Sequence, residues 1–231
     1  MRSREVAFQL VSDRPNLQLS LAPGEELTGT LEIPGPPQAQ KHMVRLEPLE
    51  GVNWTGQLEV EVAKDGSFHL SNIFPGKFKT VVTPIPENGF IKAVMLDNKP
   101  AADNVLDLSN GGSRIKITIS PNAGQISGRV LDKDGDPLMG PCNVILQMSP
   151  ALPEENGAAR TSDGKYTLTG IRPGKYRLYA INILALLEMI GGGDVDETVK
   201  RFYEAGEEIE IKEGDRISKD ITALSKLSEK K

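Results

Sequence analysis

The chain has 231 residues with 38% hydrophobic and 26% charged content, a composition typical of soluble globular proteins rather than disordered or membrane-embedded ones. Its formal net charge of -5 argues against a nucleic-acid partner. A single cysteine excludes internal disulfides, and only two histidines exclude most zinc sites and most histidine-dependent catalysis.

We expect no direct membrane insertion, because the chain has neither a signal-peptide core at its start nor a run of about eighteen apolar residues elsewhere. Its 23 glycines and 16 prolines divide it at short intervals. Between these breaks aliphatic residues alternate with polar ones, as at 58–62, 115–119 and 209–221. Period-two alternation predicts many short strands, each with one buried and one solvated face. The expected fold class is therefore all-β.

One stretch of the chain occurs twice. Residues 65–78 reappear as residues 163–176 at an offset of 98, with seven of fourteen positions identical. Two shorter stretches match in the same order, 27–31 with 126–130 and 44–46 with 144–146. Three matching stretches in one order predict a duplicated domain.

The repeated stretch predicts turns as well as strands. Its Asp-Gly pairs, at 65–66 and 163–164, favour a hairpin turn because Gly adopts positive φ without steric cost. In the strand that follows, His69 is expected on the solvent-facing side. The Pro-Gly pairs at 75–76 and 173–174 predict a type II turn.

We place a domain boundary near residues 121–124, between two predicted strands. It gives two domains, residues 1–122 and 123–231, each large enough for its own core. In the second, Asp194 as N-cap, Glu197 three positions later and Gly206 as C-cap predict one short helix near residues 194–205.

The order of these features resembles the carboxypeptidase regulatory-like domains, a prealbumin-like (transthyretin-like) β-sandwich group. The second copy has Gly128 between aliphatic residues, an Asp-x-x-Gly-x-Pro turn at 132–137, a Val-x-Leu strand at 144–146 and the stretch 163–176. The first copy lacks the first of these turns. The resemblance implies two tandem prealbumin-like (Ig-like) β-sandwich domains, with one short helix in the second, from a bacterial secreted or surface protein.

Three carboxylates at alternate positions, Asp132, Asp134 and Asp136, form a weak candidate site for Ca²⁺, which prefers oxygen ligands. Their spacing departs from that of an EF-hand loop, since Asn143 stands at the twelfth position. An Asp/Gly/Pro turn accounts for the same residues, and we favour the turn. No metal and no cofactor is therefore expected.

Carbohydrate binding requires an exposed aromatic platform beside polar groups. Trp54 in a turn-like setting, Phe74 and Phe90 are the candidates. Aromatic residues make up only 5% of the chain, so anchoring of a loop or of the core is the favoured interpretation.

An apolar stretch in the second domain is too short to span a bilayer. As a helix, its apolar residues would exceed one face, which indicates either burial in the core or contact with a partner protein. The candidate interface residues are Ile183, Leu184, Leu186, Leu187, Met189 and Ile190.

Catalysis is not expected, because the chain has no Gly-x-Ser-x-Gly nucleophile elbow. Cys142 precedes a predicted strand and is interpreted as a small buried residue. The spacing of Lys and Asn does not identify an isopeptide bond of the kind that locks some bacterial surface sandwiches.

These observations predict a non-catalytic spacer or adhesion-type module of a larger extracellular or cell-surface bacterial protein. Its expected partners are other proteins or neighbouring domains. The alternative function is a carbohydrate-binding module, with polysaccharide as the ligand of Trp54 and its neighbours.

Overall fold

The computed structural model describes residues 24–35, 40–49, 58–149, 157–182 and 195–224, with only the backbone of 195–199. The described chain is almost entirely β, which confirms the predicted class. It divides into two compact units. Unit 1 comprises Met1–Pro86 and Ile91–Pro121, and unit 2 comprises Glu87–Phe90 and Asn122–Lys231.

Unit 1 is built from two sheets, with strand orders β4-β1-β9-β6-β7 and β3-β2-β5-β8. A short 3₁₀ turn, Ala102–Asn104, precedes β8. The strands are β1 Glu25–Glu32, β2 Met43–Pro48, β3 Glu59–Glu61, β4 Ser67–Ile73, β5 Lys77–Thr83, β6 Phe90–Leu96, β7 Lys99–Pro100, β8 Val105–Asp107 and β9 Arg114–Ser120.

The core of unit 1 contains side chains from both sheets, because each strand buries alternate residues. In β1, Leu27, Gly29 and Leu31 are buried and the residues between them are exposed; in β9, Ile115, Ile117 and Ile119 are buried. The two sheets therefore enclose one core as a β-sandwich. Its fully buried members include Leu27, Val44, Leu106, Ile115 and Ile117.

Unit 2 has a continuous sheet, with strand order β12-β11-β14-β17-β10-β13, β15 beside β14 and β16 beside β10. The strands are β10 Gly124–Leu131, β11 Cys142–Met148, β12 Gly157–Thr161, β13 Lys165–Ile171, β14 Gly174–Asn182, β15 Glu207–Ile211, β16 Arg216–Ser218 and β17 Ile221–Leu224, with helix α1 at Val195–Ala205.

The two layers expected of a sandwich are joined in unit 2 by β17. On one side Val130 of β10 pairs with Ile221, and on the other Ala180 of β14 pairs with Ala223. Because one short strand hydrogen-bonds to both neighbours, the sheet runs without a break around the core.

The same strand pairings occur in both units. Leu27 of β1 pairs with Leu70 of β4, and Ile126 of β10 pairs with Leu168 of β13. Each pairing carries a register shift at the same place, between Glu25 and Leu27 in one unit and between Gly124 and Ile126 in the other. The paired positions differ by the offsets of the sequence repeat, 98 and 99.

The Asp-Gly pairs adopt the predicted glycine backbone, but the hairpins predicted there are wrong: β3 and β4 belong to different sheets, and β12 and β13 are not neighbours in theirs. Gly66 and Gly164 have φ of 83° and 75°, and each carbonyl accepts a hydrogen bond from the N–H of Leu31 or Val130, at 2.8 and 2.6 Å. The backbone therefore uses the conformational freedom of glycine at both positions.

The type II turn predicted at the Pro-Gly pairs is wrong. Gly76 and Gly174 do not have positive φ; the left-handed residues lie earlier, at Asn72 and Gly170, with φ of 58° and 71°. In unit 1 the strands on either side, β4 and β5, belong to different sheets. The Pro-Gly segment therefore carries the chain between layers and does not close a hairpin.

Helix α1 ends where the sequence predicts. The N–H of Gly206 donates to the carbonyls of Phe202 and Tyr203, at 3.0 and 3.1 Å. Phe202 is 1% exposed and packs with Tyr179 and Ile181. Asp194, the predicted N-cap, lies outside the described residues. Within the described part of the chain, no helix is long and apolar enough to cross a membrane.

Candidate functional site

The outer face of β4, β1 and β9 in unit 1 presents polar side chains in rows. Thr28 of β1 lies between His69 of β4 and Arg114 of β9, because it pairs with both. This row borders a groove of about 600 Å³, whose wall also includes Glu61 and Val60. Strand alternation places Thr28, His69 and Arg114 on the face opposite the core, whereas Val60 is partly buried and packs against the core.

Two pairs of polar side chains lie in contact on this face. Nε2 of His69 lies 2.7 Å from a carboxylate oxygen of Glu26, and Nζ of Lys116 lies 2.8 Å from Glu32. All four side chains are about half exposed, so each pair contributes roughly 0–1 kcal/mol to stability. The solvent-facing position predicted for His69 agrees with this exposure.

Arg114 also borders the groove. Among the described residues, no side chain forms a hydrogen bond or an ion pair with its guanidinium. Its backbone N–H donates to Oδ1 of Asp97 at 2.9 Å. That hydrogen bond is the main cause that lowers the pKa of Asp97. The charge of the Arg114 guanidinium adds a smaller contribution in the same direction.

The groove does not contain the contacts of a Ser-His nucleophile. The hydroxyl of Ser67 donates to Oδ1 of Asp65 at 2.6 Å, and His69 is paired with Glu26. No hydrogen bond joins Ser67 to His69 in the described structure. Among the described residues, the groove therefore lacks the serine–histidine contact that activates the hydroxyl of such a nucleophile.

The second histidine is part of the interior of unit 1. His42 is 8% exposed, and its Nδ1–H donates to the carbonyl of Pro84 at 2.8 Å. Its Nε2 is buried without a partner among the described residues. A ring in this position does not contact solvent-borne substrate.

The weak calcium candidate forms a turn. Oδ1 of Asp132 accepts hydrogen bonds from the N–H groups of Asp134 and Asp136, at 2.9 and 3.0 Å, and Gly135 has φ of 89°. Asp132 thus stabilises its own loop, as the favoured interpretation predicts. The described residues contain no group of three or more carboxylate, His or Cys side chains placed to hold a metal ion.

The aromatic candidates do not form one platform in the described structure. Phe90 is 7% exposed, so its ring lacks the free face that sugar stacking requires, and the prediction of Phe90 as a binding residue is wrong. Phe74 is half-buried. Trp54 lies outside the described residues, as does the whole candidate interface from Ile183 to Ile190.

Cys142 is 0% exposed. Its thiol lies 3.8 Å from the carbonyl of Asn143, and burial raises the pKa of the thiol to about 11. A thiol that stays protonated at neutral pH is neither a nucleophile nor a metal ligand. The interpretation of Cys142 as structural agrees with this environment.

No isopeptide trio occurs in the described interior. Such a bond requires a Lys, an Asn and an acid together away from water, and the buried polar residues described are His42, Thr80, Ser120 and Thr161. The described Lys, Asp and Glu side chains all reach solvent.

Sequence reasoning missed the row formed by Thr28, His69 and Arg114. Alternation predicts the solvent-facing side of a strand for His69, but the row depends on the pairing of β1 with both β4 and β9. Alternation shows which residues face outward and does not show which strands are adjacent.

No protein-family model matches the chain, and no curated protein matches it. The motif resemblance to carboxypeptidase regulatory-like domains therefore stays a prediction.

Solved structures with some likeness include three pilins. The minor pilin GBS52 of Streptococcus agalactiae is 13% identical, covers 86% of this chain and 95% of its own, and has a TM-score of 0.35. The shaft pilin SpaA of Lactobacillus rhamnosus GG is 11% identical, with coverages of 87% and 98% and a TM-score of 0.26.

BcpA, the major pilin subunit of Bacillus cereus, is 9% identical, with coverages of 87% and 99% and a TM-score of 0.27. Identities and TM-scores this low transfer neither a fold nor a function. What this chain does has to be argued from its own residues.

Proposed function

We propose that the chain is a non-catalytic structural and interaction module of a larger extracellular or cell-surface bacterial protein. It consists of two tandem prealbumin-like β-sandwich domains, residues 1–122 and 123–231. The observation that supports this most is the shared pairing scheme, including the register shift that β1 and β10 both carry. Two copies of one scheme in one chain are typical of modules repeated for spacing.

Each unit also has a separate core. The cluster around Leu27 and Ile115 belongs to unit 1, and the cluster around Ile126 and Leu178 belongs to unit 2. A module with its own core holds its shape without its neighbour, which a spacer requires. The extracellular bacterial setting follows from the motif resemblance alone.

The placement of reactive groups supports a non-catalytic role. Ser67, His69 and Cys142 are the described residues best suited to nucleophilic or acid–base chemistry, and none contacts the partner it would need. Catalysis needs such groups within hydrogen-bond reach of one another.

The proposal is tested by assaying the purified chain against fluorogenic ester, phosphate, glycoside and peptide substrates. We expect no turnover above the buffer rate. Turnover that is lost in His69→Ala and kept in the exposed control Lys133→Ala would overturn the proposal.

The carbohydrate-binding alternative now depends mainly on Trp54, and a titration of its emission with polysaccharides separates the two functions. The structural proposal predicts no saturable change. A saturable shift with one class of glycan, absent in Trp54→Phe by calorimetry, would replace it.

We also propose that the interaction role involves the segment from Ile183 to Ile190. Leu186→Asp is then expected to change the oligomeric state or partner binding, measured by light scattering, without loss of the β signal in circular dichroism. An unchanged oligomeric state together with unchanged stability and partner binding would remove this segment from the proposal.

A further inference from the structure

The first and last described strands of unit 1 are hydrogen-bonded neighbours that run in the same direction. β1 pairs with β9 in parallel over five consecutive positions, from Thr28 with Arg114 to Glu32 with Thr118. Among the described strands of unit 1, β1 comes first in the chain and β9 comes last. The first and last described strands of the unit are thus held together by one uninterrupted parallel ladder.

This direction determines how a pulling force acts. Tension applied through the chain draws β1 toward its N-terminal end and β9 toward its C-terminal end. In a parallel pair these are opposite directions along the strands, so the force lies along the ladder and across its hydrogen bonds. All the bonds of the ladder are loaded together, whereas a force across the strands would break them one at a time.

Further contacts strengthen the β1–β9 ladder of unit 1. The N–H and the hydroxyl of Thr28 both donate to the carbonyl of Ser113, at 2.9 and 3.2 Å. Across the same strands Lys116 pairs with Glu32 at 2.8 Å. The inward residues of both strands are buried, so sliding of β1 along β9 also moves apolar side chains out of their packing.

In unit 2 the first described strand also forms a parallel ladder with the last described strands of the unit, but here two short strands replace one long one. Its first strand, β10, pairs in parallel with β16 over three positions and with β17 over two. The two residues between these strands are also held: Lys219 donates its N–H to the carbonyl of Ser127 at 2.8 Å, and Asp220 accepts the N–H of Arg129 at 2.8 Å. The ladder therefore continues through the break.

We propose that both units are shear-loaded clamps and that the chain bears tension along its length. The inference deepens the proposed structural role and rests on it. The force needed to unfold a domain depends on the unfolding barrier in the direction of pulling. We therefore expect a higher unfolding force when β1 and β9 are pulled along the ladder than when they are pulled apart across it.

The test compares two pulling directions in unit 1 of the full-length chain. Handles are attached through cysteines at Glu26 and Pro121 for shear, and at Glu26 and Asn110 for peeling, since Asn110 precedes β9. All three positions are exposed. Cys142 can stay, because it is buried and its raised thiol pKa keeps it protonated during labelling.

Single-molecule force spectroscopy should give a clearly higher mean unfolding force for the Glu26/Pro121 pair than for the Glu26/Asn110 pair at the same pulling speed. The gain in length identifies the unit, because each unfolded residue adds about 3.3–3.6 Å. Equal forces in the two directions, or a lower force in shear, would overturn the clamp.

Urea denaturation of both double-cysteine variants separates direction from stability. Equal unfolding midpoints show that the force difference comes from the pulling direction, and a midpoint difference large enough to explain it would count against the clamp. The substrate and glycan assays remain the test of the proposed function. If the two pulling directions give equal forces and no substrate is turned over, the clamp is refuted and the proposed structural role stands.

Discussion

Replacement of Gly128 by Ala is expected to destabilise unit 2 strongly. Gly128 lies in β10, where a Cβ atom would fall 1.8 Å from the carbonyl oxygen of Lys219 and 2.5 Å from its carbonyl carbon. Both atoms belong to the backbone, so no side-chain rotation relieves the overlap. Either β10 or the segment between β16 and β17 must move.

The magnitude follows from what that movement breaks. Overpacking in a closely packed region costs about 1–3 kcal/mol. The carbonyl of Lys219 also accepts the hydroxyl of Tyr166 at 2.6 Å, and the loss of one such hydrogen bond costs about 1 kcal/mol. We therefore expect Gly128→Ala to lower the free energy of unfolding of unit 2 by about 2–4 kcal/mol.

The assay is urea denaturation followed by near-UV circular dichroism of tyrosine, because all four tyrosines lie in the sequence of unit 2. Gly157→Ala is the matched control: its Cβ would lie 3.6 Å from Cβ of Leu146, which is an ordinary contact. This control is expected to stay within about 1 kcal/mol of the wild type. Equal midpoints for Gly128→Ala and the wild type would refute the reasoning, as would an equally large loss in Gly157→Ala.

The other predictions concern a thiol, a carboxylate and a helix anchor. Cys142, with its pKa raised to about 11 by burial, should react with a disulfide reagent at pH 8 far more slowly in the folded protein than in urea; equal rates would contradict its burial. The pKa of Asp163 is lowered from 3.8, first by the N–H of Lys165 and then by the hydroxyl of Thr161. Since the folded value lies below the unfolded one, this stabilisation is complete above about pH 4 and is lost as the pH falls through the folded value. Asp163→Asn should therefore show a smaller drop in urea midpoint between pH 7 and pH 3 than the wild type, and an unchanged drop would rule this group out. Phe202→Ala should cost about 3–5 kcal/mol in unit 2, measured by the same tyrosine signal, whereas Phe202→Leu should cost less; a loss below about 1 kcal/mol would show that α1 does not depend on this ring.

Local features of the fold could be predicted from the sequence because neighbouring residues determine them. The Asp-Gly pairs ending at Gly66 and Gly164 adopt the predicted backbone, and helix α1 ends at the predicted Gly206. Each depends on the chemistry of a few consecutive residues.

Features that depend on which strands are adjacent could not be predicted in this way. The Pro-Gly pair at 75–76 has the composition of a tight turn, but β4 and β5 lie in different sheets, so the chain crosses between layers there. The close approach of Gly128 to Lys219 likewise depends on the pairing of β10 with β16 and β17. Alternation identifies the buried face of a strand but does not identify the strands that pair with it.

The candidate groove was missed for the same reason. Thr28 and Arg114 are far apart in the chain and come together through the parallel pairing of β1 with β9. Each residue alone is an ordinary exposed polar side chain on a strand. Only the ladder shows that they border one groove.

The measurement that tests a two-unit structural module most directly is the stretching of the full-length chain from its two ends. Two separate unfolding events are expected, with length gains that correspond to unit 1 and unit 2, because each unit has its own core and its own parallel ladder. A single event that spans the whole chain would contradict the two-unit module, and extension without a force peak would contradict the clamps.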